Sequence, residues 1–237
     1  MNILLTGASR GIGAATLALL RSTGHRVVGH STKGGDGLVA ADFADPAAPR
    51  ALWNAALAEL GTIDVLVNNA GIFEGVADDA DDDVWHAVWA RTLGVNLQAS
   101  ADLCRLAVNH FRTTGPNNRT GGRIVNVASR AAYRGDSPQH WHYAASKAAM
   151  IGMTKSIARG YARDNILAFT VCPGFVMTGM AEDYLSSRGG QQLLADIPLG
   201  RVADPGEIAE TIRWLAIDAP PSATGAVIDV NGASFVR

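Results

Sequence analysis

Short apolar, β-rich runs alternate along the chain with longer segments in which apolar residues recur at helical spacing. The short runs are Ile3–Leu5, Arg26–Gly29, Leu38–Ala41, Val65–Val67, Arg123–Val127, Ala168–Val171 and Ala226–Val230, which predict seven strands. Runs such as Ile124-Val125-Asn126-Val127 place apolar side chains on both faces, as strands buried on both sides do. Helical periodicity covers Ile12–Arg21, Pro49–Leu60, Asp81–Arg112, Trp141–Arg163 and Pro205–Ala216, the last with Pro205 at a first helical position after Asp204. Strand and helix in alternation predict an α/β fold, a mostly parallel, doubly wound sheet with helices on both faces. Ser31 to Gly37 and Thr113 to Gly122 concentrate Gly, Asn, Pro and small polar residues and read as loops. The irregular stretch 174–201 reads equally well as a substrate lid and as an ordinary connection with a short helix.

The length, 237 residues, fits one α/β domain spanning 1–237, and 48% hydrophobic residues provide for a core. Lys and Arg number 20 against 22 Asp and Glu, so no polycationic surface is available for nucleic acid or an anionic membrane. Cys104 and Cys172 are too far apart for a CxxC pair and sit in apolar runs, where free Cys behaves as a small hydrophobe. With no basic leader and no apolar run long enough to span a bilayer, a cytoplasmic protein is expected.

Ile3-Leu4-Leu5 runs directly into Thr6-Gly7-Ala8-Ser9-Arg10-Gly11-Ile12-Gly13 and a helix. Glycines there permit positive φ and close backbone approach, and the helix N-terminus offers unpaired N–H groups to a pyrophosphate. A merely tight strand-to-helix turn would use the same residues. NAD-binding folds place a carboxylate about 20 residues past such glycines, whereas the second strand here ends Gly29-His30-Ser31-Thr32-Lys33. Arg10, and less securely Lys33, can instead neutralise a 2′-phosphate, so NADP(H) is expected ahead of NAD(H). Asp42-Phe43 follows the third strand, placing a carboxylate for an adenine amino group and an apolar neighbour to cover the ring. Asn68-Asn69-Ala70-Gly71 follows the fourth.

Tyr143 and Lys147 lie one helical turn apart, so phenol and ammonium share a face. Lowering a phenol by two to three units takes ~3–4 kcal/mol, which one ammonium near ~4 Å supplies at an effective dielectric near ~20. Lys147 is therefore expected to lower Tyr143 and make it a general acid or base. Ser129 ends a buried-type strand, where its hydroxyl can polarise a carbonyl, and Asn96 interrupts a helical segment that has no local use for an amide. Each alone reads as structural. His140-Trp141-His142 is not a metal site on this reading, because residues at i and i+2 face apart on a helix; one of the two histidines fits a site wall better. Trp85 and Trp89 fit a core or a subunit contact.

In this order and at these spacings the motifs resemble the short-chain dehydrogenase/reductase family, of its compact single-domain type, over nearly the whole chain. The resemblance implies a Rossmann fold and hydride transfer between a nicotinamide and a carbonyl or secondary alcohol. It assigns Tyr143 as general acid/base, Lys147 as the residue that lowers its pKa and holds the nicotinamide ribose, Ser129 as the holder of the substrate oxygen, and Asn96 as support for a proton relay. Dinucleotide contacts fall on Gly7, Ser9, Arg10, Gly11, Ile12, Gly13, Ser31, Asp42, Phe43, Asn69, Ala70, Gly71, Tyr143, Lys147, Pro173, Gly174, Val176 and Thr178. A homotetramer or homodimer on the Asp81 and Trp141 helices is implied as well. The short, Gly-rich link between the second and third strands departs from the family pattern and lacks its usual helix. The tail Val230-Asn231-Gly232-Ala233 also departs from it. An NAD(H)-dependent alcohol dehydrogenase and a non-catalytic dinucleotide sensor on the same fold remain alternatives, the latter disfavoured because both Tyr143 and Lys147 are present.

Overall fold

In a computed structural model, residues 1–113, 121–177 and 194–237 are described. Seven strands form one sheet: β1 (Asn2–Leu5), β2 (Arg26–Ser31), β3 (Leu38–Ala40), β4 (Val65–Asn68), β5 (Gly122–Val127), β6 (Ile166–Pro173) and β7 (Val227–Val230). Their order is β3-β2-β1-β4-β5-β6-β7 and every pairing is parallel. The helices are α1 (Gly11–Ser22), α2 (Ala48–Leu60), α3 (Asp82–Leu93), α4 (Ala99–Thr113), the single turn α5 (Ala131–Arg134), α6 (Trp141–Tyr161) and α7 (Pro205–Ile217). Three departures from the periodicity stand out. The expected helix 81–112 is divided by a π-helical turn, Gly94–Gln98; α5 was not foreseen; and the expected helix end at Arg163 tightens into a 3₁₀ turn, Ala162–Asp164.

The period of two along each strand sorts the core into two layers. Leu4, Leu66, Ile124 and Ala168 pack against Leu52 and Trp53 of α2 and Leu103 and Phe111 of α4. Ile3, Leu5, Val67, Val125 and Phe169 face the other way, onto Leu20 of α1 and Ile208, Ile212 and Leu215 of α7. Phe111 is fully buried, so Phe111→Ala should lose about 3–5 kcal/mol of stability in denaturant unfolding. A loss below about 1 kcal/mol would contradict that packing. Helix α7 starts as its sequence indicates: the Asp204 carboxylate accepts the Gly206 N–H at 2.7 Å, and Glu207 accepts the Asp204 N–H at 2.8 Å.

Sheet order reverses between β1 and β4. The chain winds outward from β1 through β2 to β3 on one side and from β4 through β7 on the other. Open α/β sheets hold ligands in the crevice beyond the carboxyl ends of the strands at such a reversal. The residues after β1 are the glycine turn, and those after β4 are Asn69-Ala70-Gly71.

Between β2 and β3 there is no helix. The chain turns back through residues 32–37 using positive φ at Gly34, Asp36 and Gly37, and pairs parallel to β2 over only three residues. A link this short can join parallel strands because Leu38 re-enters opposite Gly29, just short of the end of β2.

Candidate active site

The glycine turn is laced to the loop after β4 before any ligand is considered. Thr6 Oγ1 accepts the N–H groups of Asn69 and Ala70, each at 3.0 Å. The Asn69 side-chain amide donates to the carbonyls of Thr6 at 3.0 Å and Gly7 at 2.9 Å. Gly7 holds φ +67°, and a Cβ on it would lie 2.7 Å from the Ala70 backbone. Thr6 therefore shapes the site although nothing local in the sequence singles it out. Asn69 works here through its amide on the turn itself.

Helix α1 begins at this turn with its N-terminus uncapped. Arg10 occupies the cap position in extended conformation and makes no side-chain cap bond, and the first turn carries no acidic residue. Its opening N–H groups and positive dipole end are thus free for an anion, and Ser9 and Arg10 are exposed beside them. Ile12 lies half-buried in that first turn, packed against the core. On the adenosine side two of the expected residues are turned inward. The Phe43 ring is buried, 7% exposed, and stacks on His30 with centroids 4.4 Å apart. Ser31 is also buried, and its hydroxyl is engaged by its own loop, accepting the Gly34 N–H at 3.0 Å. Asp42 is exposed, its carboxylate accepting the Ala44 N–H at 3.0 Å.

At the other end of the crevice three side chains converge. The chain stays bonded to β6 past the end of β5, with Ala128 N–H donating to Val171 O at 2.8 Å and Arg130 N–H to Pro173 O at 2.9 Å. That fixes Ser129 at the strand end, where its Oγ accepts the Ala131 N–H at 3.1 Å. Tyr143 and Lys147 project from the first turns of α6. Lys147 Nζ is buried, donates to Val127 O at 2.9 Å and lies 5.8 Å from the Tyr143 ring centroid. A buried polar ladder holds α6 and the two central strands in register: Asn68 donates to Asn126 at 2.8 Å, and Asn126 donates to Thr154 at 2.8 Å.

Asn96 sits within the π-helical turn, a distortion that recurs at functional sites. Its side chain clamps Ile72, accepting the N–H at 2.8 Å and donating to the carbonyl at 3.0 Å, and it donates to Ser146 Oγ at 3.3 Å. A Cβ on Gly71 would lie 3.3 Å from Asn96 Oδ1 and 3.4 Å from Lys147 Nζ, so amide and ammonium meet across this glycine.

The electrostatics differ from the sequence expectation. Burial pushes the Tyr143 phenol up to about 12, with the Ser129 hydroxyl opposing that rise, and burial lowers the Lys147 ammonium to about 8. The ammonium does not pull the phenol down, because it lies toward the ring and bonds a backbone carbonyl, and desolvation outweighs its field. The protein by itself keeps Tyr143 protonated.

Pro173 ends β6, and Gly174 donates to Val230 O at 3.0 Å and abuts Asn231, whose Cα a Gly174 Cβ would meet at 2.8 Å. Val176 is buried in a bridge to Ala203. Thr178, and with it 178–193 of the expected lid, lies outside the described residues. Phe73, which the motifs did not mark, is 45% exposed; it stacks on His140 at 3.9 Å and meets the Tyr143 ring edge-on at 4.8 Å, walling the site. His142 Nε2 donates to Glu74 O at 2.8 Å. Among the described residues no three His, Cys, Asp or Glu side chains gather as a metal would require. No described helix is long and apolar enough to cross a membrane.

These residues fit a dinucleotide: an uncapped helix start without acidic neighbours lies at one end of the crevice, and Ser129, Tyr143 and Lys147 stand at the other. The sequence profile of the family described as enoyl-(acyl carrier protein) reductase matches residues 7–233. The 3-oxoacyl-(acyl-carrier-protein) reductase of Vibrio cholerae is 34% identical, covering 98% of this chain and 96% of its own. The acetoacetyl-CoA reductase of Rhizobium meliloti is 31% identical over 98% and 97%. A crystal structure of 3-ketoacyl-(acyl-carrier-protein) reductase from Brucella melitensis, complexed with NADH, is 27% identical, superposes with a TM-score of 0.85 and covers 99% of this chain and 98% of its own. Fold and relatives agree: the chain belongs to the short-chain dehydrogenase/reductase family of oxidoreductases and is similar to its 3-oxoacyl-(acyl-carrier-protein) reductase members.

Proposed function

We propose that the chain, as one domain over 1–237, is an NADP(H)-dependent reductase of a small-molecule carbonyl, with Ser129, Tyr143 and Lys147 as its catalytic residues. The observation that carries this reading is their convergence at the strand ends, across the crevice from an uncapped helix N-terminus. Bound NADPH would supply the hydride to the carbonyl carbon. Gly7, Gly11, Gly13 and the start of α1 would hold its pyrophosphate, and Asn69, Ala70, Gly71, Pro173 and Gly174 would line the way to the nicotinamide. Ser129 Oγ holds the substrate oxygen, and Tyr143 Oη gives its proton to that oxygen as charge develops on it. Lys147 faces the tyrosinate left behind and holds the nicotinamide ribose. Asn96 fixes the loop at Ile72 and keeps Gly71 against the ammonium.

Because the phenol is held at about 12, its acid form prevails at neutral pH and the reductive direction is favoured. Reductive turnover should therefore hold through neutral pH and decline above about 8, where Lys147 loses the proton that faces the tyrosinate, while oxidation, which needs the phenolate, should climb with pH. Paired pH–rate profiles check this; a reductive limb falling through neutrality would contradict it.

The 2′-phosphate is assigned to Arg10, exposed at the α1 cap, with no carboxylate at the end of β2 to repel it. Arg10→Ala should weaken NADPH roughly tenfold and leave NADH nearly unchanged, as loss of one charge-assisted contact does. The second reading, NAD(H), is supported by the NADH complex of the Brucella relative; equal effects of Arg10→Ala on the two cofactors would favour it. A 3-oxoacyl thioester is the first substrate to test, supported by the acyl-thioester reductases among the relatives. We assign the homotetramer or homodimer to the faces of α3, α4 and α6, where Trp141 is half exposed beside Trp85, 5.4 Å away. Light scattering on the purified protein tests it.

A further inference from the structure

His30 is a buried imidazole at the end of β2, 2% exposed, and both of its nitrogens are engaged. Nδ1 accepts the Gly7 N–H at 3.2 Å, and Nε2 faces the Ala41 carbonyl at 2.8 Å, so Nε2 carries the proton. The ring stacks on Phe43 at 4.4 Å and 22°. One side chain thus joins the glycine turn after β1 to the Ala41-Asp42-Phe43 segment after β3. Both belong to the adenosine half of the crevice, in the very region where the helix between β2 and β3 is missing.

We propose that His30, neutral and protonated on Nε2, is a positioning residue that holds the glycine turn and the Asp42 segment in register for the adenosine half of the dinucleotide, and that a second proton on the ring releases the turn. The proposal rests on the dinucleotide reading above. A doubly protonated imidazole has no lone pair for the Gly7 N–H, so that bond becomes a donor–donor contact beside the pyrophosphate cradle. The charged groups on the neighbouring segments are Arg10 in the turn, Lys33 and Asp36 after β2, and Asp42 after β3; all four are exposed, and none is bonded to the ring. Burial accordingly lowers the affinity of His30 for a proton, with the Ala41 carbonyl opposing. The sign follows. Unfolded chain takes up this proton near ~6.5 and folded chain only below that, so stability declines as pH falls beneath ~6.5. Dinucleotide affinity declines once the folded ring itself is protonated.

ADP-ribose is the probe, because its pyrophosphate stays ionised over the range and it lacks both the nicotinamide and the 2′-phosphate. Calorimetric titration of the full chain is run from about pH 8 down to about pH 5.5, with a thermal melt at each pH to confirm that the protein is folded. Wild type should lose affinity progressively toward the acid end, by less than the roughly tenfold that a ring titrating at ~6.5 would lose at about pH 5.5. His30→Asn keeps an acceptor for Gly7 but cannot titrate, and should bind with little dependence on pH. His30→Phe keeps the stack and loses both bonds, and should bind weakly throughout, with the KM for NADPH raised far more than kcat is lowered. A folded His30→Phe that matches wild type at about pH 8, or a wild-type pH response no different from that of His30→Asn, would overturn the proposal while leaving the dinucleotide reading intact. If wild type binds neither ADP-ribose nor NADPH, the dinucleotide reading itself falls and takes this proposal with it.

Discussion

Tyr143→Phe should fold, bind NADPH within about threefold of wild type and reduce carbonyl substrates at least ~100-fold more slowly. The substitution removes one oxygen and leaves the ring, so the edge-on contact with Phe73 and the approach of Lys147 Nζ toward the ring persist. What disappears is the proton donor. Ser129 Oγ remains and can still polarise a carbonyl, but its hydroxyl is far weaker as a proton source at neutral pH. Single-turnover and steady-state rates with a 3-oxoacyl thioester, measured with NADPH affinity on the same preparation, separate chemistry from binding. Retained turnover would remove Tyr143 from the mechanism; lost NADPH affinity would show that the ring supports the crevice instead.

The second large effect is expected at Gly13. A Cβ there would collide with the Gly7 carbonyl oxygen and lie 2.7 Å from Asn69 Nδ2, two groups already bonded to each other at 2.9 Å. The obstruction on the turn side is backbone, so no flexible side chain can swing aside, and α1 must move off the turn. Gly13→Ala should cost at least about 1–3 kcal/mol of stability and weaken NADPH by roughly 100-fold or more. Gly160→Ala, in the last turn of α6 with nothing within 4 Å of the added methyl, is the control. It should be neutral or stabilising by up to about 1 kcal/mol. Equal behaviour of the two variants in melts and titrations would refute the packing argument.

The architecture was legible because parallel strands covered on both faces must be apolar at successive positions. Ile3-Leu4-Leu5 and Val65-Leu66-Val67 accordingly serve both core layers. The Tyr143 and Lys147 pair was legible for a similarly local reason, since four residues of helix place two side chains on one face. Asn96 was marked by its poor fit to a helix, but the π turn that holds it was not readable, because a widened turn barely perturbs the apolar period. Other features depend on contacts distant in sequence. His30 lies 23 residues from the Gly7 it bonds, and Thr6 lies 63 residues from Asn69. Phe43 points inward because a ring was waiting for it at the end of β2. The rise of the Tyr143 phenol was missed because an ammonium four residues away is visible in sequence, whereas the desolvation that outweighs it is produced by the whole fold.

A nicotinamide dinucleotide held in the crevice at the reversal of the sheet should reveal itself when the purified chain is melted with increasing NADPH and, separately, NADH. Ligand that binds only the folded state stabilises it by about 2.7 kcal/mol at a hundred times its Kd, several degrees of Tm for a chain of this size. A saturable upward shift is expected with both, reached at lower concentration with NADPH. A melting temperature that neither cofactor moves would contradict it.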